Sequence, residues 1–208
     1  MDDMVPFASR DYFLLLLLLV FARGMDFLST WVATPNLVLE GNPLAKKLGW
    51  KWGLLLNAGL AGILSLWPLS SIVVATASVL VAARNFQSAW LMHSLGEENY
   101  RRWYIERVQE TRIMLYLLCL AGNTLLTAAV GAVLIYASHL RQLWPFAIGM
   151  GMVAYAVAVA FYTLLALWRI RRAGKKMEAR LNGYTHPKPL AVDPWTRLEN
   201  RAPDKIIP

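Results

Sequence analysis

The chain of 208 residues is 57% hydrophobic, with a mean hydropathy of +0.42, whereas about 45–50% apolar residues is usual for a soluble domain. The composition excludes an ordinary soluble domain, because the apolar residues also come in blocks of about 20, the length of one transmembrane helix. The formal net charge of +8 is concentrated in particular loops and in the C-terminal region, so it indicates membrane topology and no nucleic-acid partner.

The first apolar block, residues 12–34, is predicted to be a retained transmembrane helix. Acidic Asp2, Asp3 and Asp11 precede it in place of a basic segment. No small-residue cleavage site follows, so the block does not indicate a secretory signal peptide. Four further transmembrane helices are predicted, at residues 50–67, 69–93, 113–138 and 145–169.

A charged segment, residues 96–112, separates the third and fourth of these helices. It is predicted to form an amphipathic helix on the cytoplasmic surface, with Trp103, Ile105 and Val108 against the bilayer or the bundle. Residues 97–102 match the EExxxR motif of CAAX-type intramembrane proteases, and the same stretch looks like the Gly-Glu-Glu-Tyr piece of isoprenylcysteine-type methyltransferases. The other motifs of both families are missing, so neither activity is inferred.

Lysines and arginines are concentrated in three segments, which determine the predicted orientation. They follow the first, third and fifth helices, and five crossings place all three groups on the same side of the membrane. The positive-inside rule assigns that side to the cytoplasm, so the N-terminus is outside and the C-terminus is cytoplasmic. The predicted location is the inner, cytoplasmic membrane of a prokaryote.

The sequence thus predicts an all-α fold, a polytopic transmembrane bundle of about five helices. Residues 1–11 are a short N-terminal tail, and residues 12–170 are the five-helix domain. Residues 171–208 are a basic, proline-containing cytoplasmic tail, which is either solvated or an extended arm on a partner.

Arg23 and Asp26 are charged residues inside the first predicted helix. An ionised side chain near mid-bilayer costs about 2.5–3.5 kcal/mol on insertion scales, so such residues usually face protein or a water-filled cavity. Their spacing places them on one helix face, with Thr30 at the next turn. The pair either fixes helix packing alone, or it holds an anionic ligand through Arg23 or relays a proton through Asp26.

The segment Glu40-Gly41-Asn42-Pro43 follows the first helix after Pro35. One interpretation is an interfacial loop, in which Asn42 caps a helix that begins at Pro43. The alternative is a segment folded back into the bundle, so that Glu40 and Asn42 meet Asp26 and form an ion or proton site. At membrane depth, the N–H and C=O groups of irregular backbone need hydrogen-bond partners from protein or water.

This part of the chain also carries a resemblance to a known family. Asp26, Ser29 and Thr30, followed by Glu40-Gly-Asn42-Pro, resemble the pattern Asp-x-x-Thr-Thr and Glu-x-Asn-Pro of a family of small prokaryotic membrane proteins with a domain of unknown function, DUF5658. The resemblance covers about the first third of the chain, and Ser29 replaces the first threonine of the pattern. It implies a polar pattern at the first helix and no particular activity.

Further polar residues lie inside the other predicted helices, where they either form interhelical hydrogen bonds or line one polar cavity together with Arg23 and Asp26. They are Asn57, Arg84, Asn85, Gln87, Asn123 and Thr127. The predicted ligand-binding residues are Arg23, Asp26, Thr30, Glu40, Asn42, Asn57 and Asn85.

The sequence identifies neither catalytic nor metal-binding residues. The predicted topology places His93 and His139 at opposite membrane surfaces, so they do not bind one haem together, and His186 lies in the tail. No Cys/His cluster and no Gly-rich phosphate loop occurs. A single-ligand role for His93 stays open, and the cofactor is therefore left unknown.

Three functions are compatible with these observations. The first is a non-catalytic accessory or structural subunit of a larger membrane complex, which contacts membrane lipids and other membrane subunits through small-residue helix faces, tryptophans and the tail. The second is binding or translocation of a small ligand, ion or proton at Arg23, Asp26 and Glu40. The third is an intramembrane enzyme acting on a lipid or isoprenoid. The subunit is placed first because no internal repeat and no complete motif supports the others.

Overall fold

The structure, a computed structural model, describes residues 4–39, 43–139 and 142–185, with the side chains of all of these except 43–45 and 174–185. This part of the chain forms six helices and no strand, which confirms the predicted all-α class. The helices are α1 (Arg10–Ala33), α2 (Pro43–Leu64), α3 (Pro68–Leu95), α4 (Glu97–Glu110), α5 (Ile113–Ala137) and α6 (Leu143–Thr185).

Four of the helices are long and apolar enough to cross a membrane. They are α1, α3, α5 and the part Leu143–Ala173 of α6. The 24 residues of α1, for example, extend about 36 Å at about 1.5 Å per residue, more than the roughly 30 Å of bilayer hydrocarbon. By length and composition the chain is therefore a multi-pass integral membrane protein, as its sequence predicts.

α2 is divided at Gly49, immediately before the predicted start of the second span at residue 50. This glycine has φ 67° and ψ −173°, a conformation that glycine adopts without steric penalty. Beyond it, residues 50–64 rise only about 22 Å at about 1.5 Å per residue. The span is shorter than predicted at its end, because the helix stops at Leu64 and residues 65–67 form the turn before Pro68.

α2 lies antiparallel to α1, with early residues of α1 beside late residues of α2. The Tyr12 hydroxyl donates to the Gly62 carbonyl at 3.2 Å. Farther along α1, Arg23 Nε donates to Asn57 Oδ1 at 2.8 Å. The short helix therefore returns the chain along α1 toward the end at which α1 begins.

α1 and α3 run in the same direction, and hydrogen bonds mark both of their ends. Where the two helices begin, the Val5 N–H donates to the Leu66 carbonyl at 2.9 Å. Where they end, the Glu97 carboxylate accepts from the backbone N–H of Asn36 at 2.8 Å and of Val38 at 3.2 Å. Glu97 thus fixes the loop after α1 to the first turn of α4.

Two buried clusters connect α1 with its neighbours. The first joins α1, α2 and α3 through Leu19, Ala22, Ala61 and Ala75. The second joins α1, α3 and α6 through Leu15, Ile72 and Ala147. Three of the four members of the first cluster are alanines, and the second contains Ala147. Such small side chains let the helix backbones approach closely, as is usual in bilayers.

Glycines allow still closer contact of α6 with α5 and α3. A Cβ added at Gly131 of α5 would lie 2.7 Å from the carbonyl oxygen of Gly149 in α6. A Cβ added at Gly151 would lie 2.7 Å from the Cβ of Thr76 in α3. At both points only glycine has room, so α6 contacts α3 and α5 through its backbone.

α4 is the amphipathic segment that the sequence predicts between the third and fourth spans. Its Val108 is buried, while Trp103 is 39% exposed. The hydroxyl groups of Tyr104 in α4 and Tyr116 in α5 share a hydrogen bond of 2.9 Å. α4 is therefore attached to α5 at one end of the bundle.

α6 extends beyond the predicted end of the fifth span at residue 169, as far as Thr185. Residues 169–185 contain many good helix formers and no proline, so local propensity favours this extension. Residue contacts within the chain fall into two separate groups, with the boundary between Ile170 and Arg171. Most of the predicted tail, residues 186–208, lies outside the described residues.

Candidate functional site

The polar residues of α1 occupy one face of the helix because they recur at intervals of three and four residues. Arg23, Asp26, Ser29 and Thr30 follow this spacing, which brings side chains of successive turns together. The face points at α2 and α3, and Ser29 is fully buried there. Interhelical contacts rather than lipid therefore surround this part of α1.

Arg23 is the centre of a hydrogen-bond network that joins three helices. Its Nη1 donates to Asp26 Oδ2 at 2.9 Å and to Ser78 Oγ of α3 at 3.1 Å. Its Nε donates to Asn57 Oδ1 of α2 at 2.8 Å, and Nη2 donates to the same oxygen. All three guanidinium nitrogens thus have acceptors inside the protein, and one of those acceptors is a carboxylate.

Asn57 is itself held by its own helix. Its Nδ2 donates to the Gly53 carbonyl at 2.8 Å, one turn earlier in α2. This bond leaves Oδ1 directed at Arg23 and uses the carboxamide as donor and acceptor together. The bond within α2 therefore fixes the orientation of the Asn57 side chain independently of its bonds to Arg23.

A second group of bonds connects the next turn of α1 with α3. The hydroxyls of Ser29 and Thr30 both donate to the Asp26 carbonyl at 2.9 Å. Asn85 Nδ2 donates to both hydroxyl oxygens at 3.3 Å. The network therefore runs along about two turns of α1 and fixes its register against α3.

The structure brings together five of the seven predicted ligand-binding residues: Arg23, Asp26, Thr30, Asn57 and Asn85. Glu40 and Asn42 lie outside the described residues, so their approach to Asp26 stays a prediction. Ser78 also belongs to the site, although the sequence reasoning did not select it. Its position seven residues before Asn85, on the same face of α3, is the signal that could have found it.

The site is accessible in part and carries no net charge when Arg23 and Asp26 are both ionised. The side chains of the pair are 30% and 18% exposed. Within the described residues, no group of three or more His, Cys, Asp or Glu side chains could hold a metal ion. The arrangement is well suited to hold α1, α2 and α3 in register.

Arg84, Gln87, Asn123 and Thr127 belong to a separate cleft. This cleft lies among α3, α5 and α6, where Tyr155 of α6 completes its lining. Arg84 and Gln87 project from another side of α3 than Ser78 and Asn85 do, because residues six positions apart differ by about 240° around a helix. Among the described residues these polar side chains therefore lie at two separate places, and the alternative of one cavity shared with Arg23 and Asp26 is not observed there.

No family model, curated protein or solved structure matches the chain. The resemblance of its first third to DUF5658 is neither supported nor contradicted by this result and stays a prediction.

Proposed function

We propose that this integral membrane protein is a non-catalytic subunit of a larger membrane complex in the inner membrane of a prokaryote. The observation that carries the proposal is the internal use of Arg23, whose three nitrogens donate to side chains of α1, α2 and α3. A guanidinium bonded in this way stabilises helix register, whereas a transport or catalytic site needs a charged group that faces its ligand.

The exposed surface of α5 is compatible with the proposal. In α5 only Gly131 is buried, and large aliphatic side chains such as Leu118, Leu125 and Leu126 are about 70% exposed. Lipid chains contact such an apolar surface as favourably as protein does, so the surface alone does not indicate a particular partner. It does leave the bundle with a helix that subunits can reach.

The proposed topology has five crossings, with α2 as the short second one. The shared direction of α1 and α3 supports it, because the chain must return between them. The N-terminus is then outside and the C-terminus cytoplasmic, with the basic segments on the cytoplasmic side.

A second candidate is binding or translocation of a small ligand, ion or proton at Arg23, Asp26 and Glu40. The partial exposure of the ion pair, 30% and 18%, favours it. The intramembrane enzyme stays a third hypothesis, in which Asp26 and Glu40 would act together.

Native mass spectrometry after purification in mild detergent distinguishes the first two candidates. We expect partner proteins in fixed stoichiometry, retained with Asp26→Asn because that change keeps the size of the side chain. A monomer without partners contradicts the subunit proposal. A small molecule or ion that is lost with Asp26→Asn but kept with Glu110→Gln, a carboxylate of an exposed ion pair, establishes the second candidate instead.

A further inference from the structure

A polar cleft of about 520 Å³ lies among α3, α5 and α6, away from the Arg23 network. Its volume is within the range of roughly 300–1,000 Å³ that small-ligand sites have. The lining residues are Leu80, Ala83, Arg84, Gln87, Asn123, Thr127 and Tyr155. The set contains one cation, two carboxamides and two hydroxyl groups, and it contains no carboxylate.

Arg84 differs from Arg23 in its partners, although both arginines lie within apolar helices. Arg23 has an ion pair with Asp26 and further acceptors in α2 and α3. Among the described residues, the two ion pairs are those of Arg23 and Arg107, and Arg84 belongs to neither. An unpaired charge in a membrane helix costs several kcal/mol. An anion bound in the cleft would lower this cost by pairing with the Arg84 guanidinium.

The guanidinium of Arg84 lies toward the end of α3 at which α4 follows. Arg84 lies eleven positions before Leu95, about 16 Å along the helix at about 1.5 Å per residue, and an arginine side chain can extend several ångströms farther toward the surface. Burial raises the pKa of Tyr104 in α4, as does its bond to Tyr116, and the nearby Arg84 charge opposes that rise. The guanidinium therefore lies near the charged helix α4.

The donors in the cleft match an oxyanion. The guanidinium offers a planar pair of N–H groups that suits phosphate oxygens, and the side chains of Gln87 and Asn123 can each donate two N–H bonds. Thr127 donates to the backbone carbonyl of Asn123 at 2.9 Å, a bond that uses no atom of the Asn123 side chain. Arg84, Gln87 and Asn123 are exposed, so a ligand can reach them from the side.

We propose that this cleft binds a phosphate group, carried by an anionic lipid that enters from the bilayer with its acyl chains beside Leu80 and Ala83. The same chemistry would accept a water-soluble phosphate from the α4 side. The site is independent of the proposed subunit function, because it shares no residue with the Arg23 network.

The test is native mass spectrometry of the full-length protein in detergent, titrated with phosphatidic acid and with diacylglycerol of the same acyl chains. We expect phosphatidic acid to bind and diacylglycerol to fail, because only the first carries the phosphate. Arg84→Gln should weaken phosphatidic acid binding at least about tenfold, since a charge-assisted hydrogen bond is lost. Inorganic phosphate, added alone, identifies the source: binding of the ion by itself supports the water-soluble form of the same site.

Arg107→Gln is the matched control, because it removes the same charge from an exposed side chain of α4 that is paired with Glu110. It should leave lipid binding unchanged, and an equal loss with both variants would overturn the proposal in favour of general charge attraction. Asn123→Leu, which changes no charge, should also weaken binding if the variants keep the thermal stability of the parent protein. Equal binding of diacylglycerol, or a partner protein lost with Arg84→Gln while phosphatidic acid binding stays unchanged, also contradicts the phosphate site.

Discussion

At the scale of single residues, Arg23 and Arg84 show how one residue type serves two purposes in apolar helices. The donors of Arg23 are directed at a carboxylate, a carboxamide and a hydroxyl of the same chain. Arg84 lines a cleft that contains polar groups but no acid. The number of internal acceptors, rather than the presence of a charge, separates a structural arginine from a ligand-binding one.

Arg23→Ala should destabilise the bundle by about 2–3 kcal/mol, because it leaves Asp26, Asn57 and Ser78 without their shared donor. The value is below the roughly 3–5 kcal/mol lost when a fully buried pair is broken, since the arginine side chain is 30% exposed. Thermal unfolding in detergent measures the effect. Arg107→Ala is the control, and loss of its exposed pair should change stability by less than about 1 kcal/mol. Equal losses for the two variants would show that the network does not hold the helices together.

Part of the Arg23 site could be predicted from the sequence because its members on α1 follow the helical period. Arg23, Asp26 and Thr30 share a face by spacing alone. Their partners depend on the register between helices, which no single helix encodes, so the sequence identifies Asn57 and Asn85 only as polar residues in apolar surroundings. Ser78 escaped selection because serine is common in membrane helices as a small packing residue.

At the scale of helices, the contact between α5 and α6 depends on facing glycines. Gly131 has the Gly149 carbonyl oxygen 2.7 Å from the position that a Cβ would take, whereas at Gly122, in the same helix, nothing lies within 4 Å. Gly131 and Gly122 therefore form a matched pair. A change to alanine has the same effect on helix propensity at both positions, but it disturbs a helix contact only at Gly131.

Gly131→Ala should lower stability by about 1–3 kcal/mol, as expected when a methyl group is forced into a packed contact. Gly122→Ala should be neutral or stabilising by up to about 1 kcal/mol, because alanine favours the helix over glycine. Thermal unfolding of both variants in the same detergent checks the prediction. If Gly131→Ala proves as stable as Gly122→Ala, α5 does not pack against α6 in this way.

Most helix positions could be predicted because hydropathy and loop composition determine where apolar blocks end. α2 is the exception. Its predicted start at residue 50 coincides with the break at Gly49, but the helix ends at Leu64 and not at residue 67, because the turn before Pro68 takes up residues 65–67. The extension of α6 was missed for a different reason, since a helix that leaves the bilayer has no apolar periodicity to reveal it.

At the scale of the whole molecule, the orientation in the membrane is a prediction from charge distribution. The contact of Val5 with Leu66 and that of Glu97 with Asn36 identify two opposite ends of the bundle. Contacts between helices are the same in either orientation, so the information on the cytoplasmic end comes from elsewhere in the chain. The basic loops supply that information.

Single-cysteine labelling in intact cells tests the orientation. In a Cys119→Ala background, Phe7→Cys, at a position 77% exposed, should react with a membrane-impermeant maleimide added from outside. Glu98→Cys, at the other end of the bundle, should react only after the membrane is made permeable. The reverse pattern would invert the topology, and labelling of both sites from outside would exclude an odd number of crossings between residues 7 and 98.

The shared direction of α1 and α3 has a consequence for biosynthesis. Arg23 enters the membrane with Asp26 three residues behind it, so the nascent helix brings its own counter-ion. Ser78 is 55 residues farther along the chain, and it reaches Arg23 only after α2 has turned back. A ribosome that stalls after α2 thus leaves a guanidinium whose bonding is incomplete inside the bilayer. The hydrogen bonding of Arg23 is therefore complete only after the third helix has packed against the first.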